Sequence, residues 1–323
     1  MYQTYEQWYC KNLRRQLNPV GWSLVIYYAI LNVAVMAVAM VEAVVYAVSG
    51  GMNGLEDALM EATSSYWGYF LAVGIGMLVL LLWKKPKFWR EEIWKKGKVM
   101  TPGSFFAILA IFLSGQVIYQ IIVIGLEIIL NSLGLTLMEG MEAVSAGGDD
   151  LSMFIYMGIL APVSEEILFR GLVQRSLEPY GKKFAIFCSA LAFGLFHGNI
   201  LQTPYAFAVG LVLGYVAAEY SIAWAMVLHL INNMLLGDSL TRLMSGMSEV
   251  GGALLFWGIL LACAVAAIVI MIVNRRKIGN YLRQERIHPW YMKSFFGSAG
   301  MITFMVIMGL SIVGTLFVLI TPM

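Results

Sequence analysis

The sequence predicts an all-α, polytopic integral membrane protein with about nine transmembrane helices. Three observations carry that prediction. The chain of 323 residues is 60% hydrophobic and only 12% charged, against roughly 25% charged in an average soluble domain. Its apolar residues gather into runs near the length that crosses a bilayer, about 20 residues of helix. Its basic residues fall between those runs in a regular alternation.

The runs, in order, are about 21–48, 65–83, 103–133, 151–173, 184–200, 204–219, 222–237, 251–273 and 295–321. The N-terminal stretch MYQTYEQWYCKNLRRQLNPVGW is too polar and aromatic for a cleavable signal peptide, so the first run is expected to be an uncleaved anchor. The fifth, sixth and seventh runs are short and broken by small or polar residues, as befits tilted helices or helices lining a watery cavity. No internal repeat or low-complexity linker is visible. Cys10, Cys188 and Cys263 are scattered, without disulfide or thiolate–metal spacing. A net charge of only +2 argues against nucleic acid as a partner.

Lys and Arg concentrate on the cytoplasmic side of membrane proteins. Nine alternating spans with a cytoplasmic N-terminus place four basic clusters inside. These are Lys11/Arg14/Arg15, residues 84–98, Arg175/Lys182/Lys183, and residues 275–293, which together hold 19 of the 21 Lys and Arg residues. The exceptions are Arg170 and Arg242. The opposite loops, GLEDALMEA and MEGMEAVSAGGDD, are acidic. Trp83, Trp89, Trp94, Trp290 and Tyr291 flank the basic segments as an interfacial aromatic belt, and the basic clusters themselves are read as topology signals and lipid contacts.

Ionisable residues within spans must be compensated and so mark candidate sites. Glu42, Glu127 and Glu219 each stand alone in their runs and read as structural. Two of the three histidines, His197 and His229, lie inside runs, together with Glu165, Glu166 and Arg170; His288 falls in the last basic loop and reads as a surface residue. At ~1.5 Å per residue, Glu165 sits roughly 15 Å from Arg175, His197 roughly 22 Å from Lys182 and His229 roughly 12 Å from Ser221. All three are then in the middle third of the bilayer, on helices that pack ~8–10 Å apart.

Spacing divides the roles. Glu166 and Arg170 are an i, i+4 pair on one helix face and neutralise each other. Glu165, rotated about 100° from Glu166, has no in-helix cation and is free for general acid–base work. His229 and Asn233, also i, i+4, present an imidazole and an amide to one place, where they suit a developing oxyanion. Asn232 points off that face, toward a neighbouring helix.

EEILFR (165–170), FGLFH (193–197) and HLINN (229–233) resemble, in order and on separate runs, the EExxxR, FxxxH and HxxxN/D motifs of the CAAX-protease and bacteriocin-processing family of intramembrane endopeptidases. The resemblance implies a CAAX-protease-like core over residues 146–240. Residues 1–145 then hold a cytoplasmic segment and three extra helices, and 241–323 two C-terminal helices with a basic loop. It implies that Glu165 and His197 activate a water, that His229 and Asn233 bind the oxyanion, and that Glu166 and Arg170 support the site. A glutamate-activated water without metal is expected. The alternative is zinc held by Glu165, His197 and His229, although the HExxH spacing of many zinc peptidases does not occur.

The activity implied is cleavage of a lipidated or membrane-embedded peptide or protein at the cell membrane, with a cavity open to the cytosol admitting water. A non-proteolytic membrane scaffold or bacteriocin-immunity protein on the same fold is the alternative. A transporter is a third reading, weakened by the lack of two related halves.

Overall fold

The computed structural model describes residues 5–49, 67–145, 151–234, 244 and 246–322. The acidic loop at 54–62 and Arg242 lie outside these. The described chain is helical apart from one short β pair.

Helix α1, Tyr5–Ser49, is continuous for 45 residues and runs through Pro19, whereas the sequence places the start of the first span near residue 21. The reason is a stripe at alternating spacings of three and four: Cys10, Leu13, Leu17, Val20, Leu24 and Tyr27 are all buried. That period keeps one face of the helix against the protein from residue 10 to residue 27. Helix α2, Trp67–Trp83, packs along α1. After a π-helical turn at Phe88–Glu92, α3 (Pro102–Asn131) opens with Thr101 accepting the Ser104 N–H at 3.2 Å and proline at its first position, a favourable start.

Strand β1 (Leu135–Thr136) and helix α4 (Met138–Ser145) follow. Helix α5 spans Leu151–Tyr180. Next come α6 (Lys182–Phe196), α7 (Gln202–Glu219) and α8 (Ile222–Asn232). Helices α9 (Glu249–Val273), α10 (Arg275–Gln284), α11 (Pro289–Phe296) and α12 (Ala299–Leu319) complete the bundle. Strand β2 (Thr321–Pro322) pairs antiparallel with β1, Leu135 opposite Pro322 and Thr136 opposite Thr321.

Among the described residues five helices are long and apolar enough to cross a membrane: α1, α3, α5, α9 and α12; α2 and α8 are shorter apolar helices. The chain is therefore a multi-pass membrane protein, but the expected count of nine spans is not reached on this measure. The shortfall has a physical cause. Helices α6 and α7 are 15 and 18 residues long and carry Ser189, Gly194, Tyr205, Gly210 and Gly214 where a plain span would carry large apolar side chains.

The four basic segments meet at one end of the bundle. Glu219 receives Lys98 and Lys182, each at 2.7 Å, and Arg175 meets Glu178 at 2.6 Å. Lys183 donates to the Glu285 carbonyl at 2.8 Å, Tyr180 to Gln16 at 2.9 Å and Lys293 to Glu6 at 3.0 Å. The hydrogen bond to Glu219 holds the Lys98 ammonium above its ordinary range. Glu219 is thus not a lone carboxylate within a span, but the hub of this basic face. Glu127 is not alone either: it accepts the Thr136 hydroxyl at 2.7 Å and the Leu137 N–H at 2.8 Å, tying β1 to α3. Glu42 likewise interacts with a neighbour.

Helices α1 and α12 cross where neither has a side chain. A Cβ on Gly21 would overlap the Met301 backbone nitrogen, and one on Gly300 would come within 2.6 Å of the Trp22 nitrogen. Small residues permit such close backbone approach in membrane bundles. Gly21→Ala is therefore expected to destabilise the protein by about 1–3 kcal/mol, the usual range for overpacking, read as a fall in the melting temperature in detergent. An unchanged melting temperature would mean that the crossing yields at no cost.

Candidate active site

Helix α5 sets the site. Its α-helical piece Ala161–Glu166 lies between two π-helical stretches, Tyr156–Leu160 and Ile167–Gln174. Pro162 has no N–H to donate to the preceding turn and its ring crowds the carbonyl four residues back, and the wider π turn before it relieves both problems. Such π insertions recur at functional sites.

Glu166 and Arg170 are wholly buried, with a carboxylate oxygen 3.0 Å from the guanidinium. The sequence assigns Glu166 to Arg170 alone. The structure adds a second partner: the same oxygen, Oε1, lies 2.9 Å from Nδ1 of His229. A carboxylate only accepts, so Nδ1 of His229 carries a proton, and the imidazole is turned to present Nε2 3.7 Å from Glu165. Glu166 thus orients the ring that faces Glu165, in the manner of a carboxylate behind a functional histidine.

Arg170 also donates to the Gly210 carbonyl at 3.3 Å and sits 4.3 Å from the centre of the Phe193 ring. One turn on, Gln174 donates to the Gly214 carbonyl at 2.9 Å, and Arg175 to that of Ala217 at 3.0 Å. This ladder zips α5 to α7. Glycine at 210 also brings α6 close to α7, where a Cβ would meet Phe193 and Ala190 of α6 at 3.1–3.3 Å. Phe193 lies perpendicular to His197 and His229, with centroids 4.9 and 5.6 Å apart, so one ring packs against the buried cation and both imidazoles.

His197 caps the end of α6. Its Nδ1 lies 2.9 Å from the Phe193 carbonyl, an acceptor, so this nitrogen holds the proton and Nε2 is left with a lone pair. Glu165, His197, His229 and Asn233 all line one cavity of about 350 Å³. Asn233 donates to the Met157 carbonyl at 2.9 Å through one amide hydrogen, leaving a second. His288 lies apart, at the start of α11, where it accepts the Trp290 N–H.

Gln116, Tyr205 and Asn232 are among the cavity residues outside the sequence-level site set. Gln116 of α3 donates to the Tyr205 hydroxyl at 2.7 Å, and Tyr205 donates to Asn232 at 3.0 Å. Asn232 in turn donates to the Asn233 side-chain oxygen at 3.1 Å. Asn232 therefore does bond neighbouring helices, and through it the orientation of the Asn233 amide is fixed by a relay starting on α3. The available signal was a polar side chain in an apolar run, but Gln116 and Tyr205 have no motif spacing to Asn233. Among the described residues no group of three His, Cys, Asp or Glu side chains is placed to hold a metal ion. His229 keeps Nδ1 on Glu166 and its Nε2 on the side of Glu165.

Removing one partner of a buried ion pair leaves an uncompensated charge and costs about 3–5 kcal/mol. Arg170→Met is expected to show a loss of that order in thermal or denaturant unfolding. Adding Glu166→Gln should recover part of it, and equal losses in the single and double variants would overturn the pairing.

Residues 147–235, which contain every one of these motif residues, match the family described as type II CAAX prenyl endopeptidase, Rce1-like. No curated protein and no solved structure matches the chain. The match agrees with three motifs read independently and with a helical membrane bundle that gathers them around one cavity. The chain thus carries, over residues 147–235, a segment similar to the CAAX-protease family of intramembrane peptidases.

Proposed function

We propose that this protein hydrolyses a peptide bond in a lipidated or membrane-embedded peptide or protein, using a water activated by Glu165 and His197 without a metal ion. The observation that carries the reading is the convergence of Glu165, His197 and His229 on one cavity, with the His229 ring locked by Glu166. We place the chain in the cell membrane with its N-terminus and basic face in the cytoplasm, because 19 of 21 Lys and Arg residues fall in the segments of that face.

In this reading the Glu165 carboxylate takes a proton from a water in the cavity, while Nε2 of His197 accepts a hydrogen bond from it. The water oxygen bonds to the carbonyl carbon, and the resulting oxyanion takes hydrogen bonds from the second Asn233 N–H and from Nε2–H of His229. Since Nδ1–H of His229 stays on Glu166, donation from Nε2 requires both ring protons. The tetrahedral adduct then collapses: the C–N bond breaks and Glu165 returns its proton to the departing nitrogen. Products are a carboxylate and an amine.

General acid–base groups contribute about 10²–10⁴-fold, so Glu165→Gln and His197→Ala should each lower turnover of a fluorogenic prenylated peptide by that much. Both should retain wild-type expression and gel-filtration behaviour. Undiminished cleavage in both purified variants would sink the mechanism. A Glu165→Gln variant that fully complements a deletion strain would favour the scaffold or immunity reading instead.

Treatment with 1,10-phenanthroline or EDTA should leave turnover unchanged. Activity that is lost and then restored by zinc would turn Glu165, His197 and His229 into a ligand set.

A further inference from the structure

Depth along the helices gives the cavity a direction. Counting from Glu219, at the basic face, Val209, Tyr205 and Gln202 of α7 lie at ~15, 21 and 26 Å. Counting from Pro102 on α3, Phe112, Gln116 and Tyr119 lie at ~15, 21 and 26 Å. The described lining of the cavity thus begins halfway through the bilayer and continues away from the basic face. Its burial changes the same way. Phe112, Phe193 and Val209, at the near end, are buried, whereas Gln202 and Met157, at the far end, are exposed.

Between the cavity floor and the basic face the bundle is filled. Arg170, Leu172, Gln174, Leu213, Val216 and Leu228 have no accessible surface at all. The α5–α7 ladder of side chain to carbonyl bonds runs through this plug. Along the α5–α7 seam a water or a peptide would have to break this ladder to reach Glu165 from that side. The sequence-level expectation is a cavity open to the cytosol; with the basic face on the cytoplasmic side, the filled half of the bundle points to the other face.

We infer that Glu165 is served from the face opposite the basic one, so that the substrate is a peptide segment presented at, or lodged in, the extracytoplasmic leaflet. This rests on the peptidase reading and on the cytoplasmic placement of the basic face. The far-side lining suits such an occupant: Gln202 offers a polar group for main-chain amides beside the apolar Met157 and Ala161.

Sidedness is measured without any activity assay. Gln202→Cys, Met157→Cys and, on the basic face, Lys96→Cys are labelled with a membrane-impermeant maleimide, in intact cells and in inside-out vesicles, with the unsubstituted chain as blank. The expected result is labelling of positions 202 and 157 in intact cells and its loss when the reagent meets only the inner side, with position 96 behaving in reverse. Labelling of 202 and 157 from the same side as 96 would overturn the inference, as would their failure to react from either side. Labelling of 96 from outside would overturn the extracytoplasmic assignment. None of these outcomes depends on Glu165, so loss of the peptidase reading is registered separately by Glu165→Gln turnover.

Discussion

The buried contact of Glu166 with Arg170 and His229 is the constraint on which the rest of the site depends. A guanidinium with no exposed surface in the middle of a membrane bundle is tolerable only with a matched anion and oriented dipoles around it. The neighbouring helices supply them. Carbonyls at 210, 214 and 217 face α5, the Phe193 ring packs against the cation, and small residues on α7 bring the helices close enough for these bonds to form. The position of His229, and with it the geometry facing Glu165, follows from the same carboxylate.

Two kinds of order meet at the cavity. On one wall the carboxylate–imidazole–carboxylate arrangement of Glu166, His229 and Glu165 is held by charge. On the other, the relay from Gln116 through Tyr205 and Asn232 to Asn233 is held by neutral hydrogen bonds, each fixing the next donor. The first wall lies wholly within the segment that matches the peptidase family. The second begins on α3, outside it, so the extra N-terminal helices contribute to the cavity as well as to the bundle.

Much of this was legible in the residues, for identifiable reasons. Helical class and membrane character follow from composition and run length, which are local properties. The separation of Glu165 from Glu166 follows from the helix period, since 100° of rotation and an arginine four residues on are enough to divide their surroundings. What could not be read were the partners brought together by packing. Nothing in the spacing says that His229 leans on Glu166 across 63 residues, or that Glu219 collects lysines from two distant loops. Each of the nine apolar runs coincides with a helix, but among the described residues only five of these are long and apolar enough to count as spans. The reason is that helices around the site exchange apolar length for small and polar residues. The direction of the cavity was also beyond the sequence, because it depends on which half of the bundle is filled.

Having Glu166 and Arg170 on the same helix bears on how the chain enters the membrane. During synthesis α5 leaves the ribosome before α7 and α8 exist, so Arg170 cannot yet reach the Gly210 carbonyl and Glu166 cannot yet meet His229. A lone arginine at the centre of an inserting helix is opposed by about 2.5–3.5 kcal/mol on the insertion scale. With a glutamate one turn earlier, Arg170 arrives already paired and needs no later helix to cancel its charge. The imidazole that arrives 63 residues afterwards then finds a carboxylate already fixed in place. Assembly order and site geometry are thus set by one spacing of four residues.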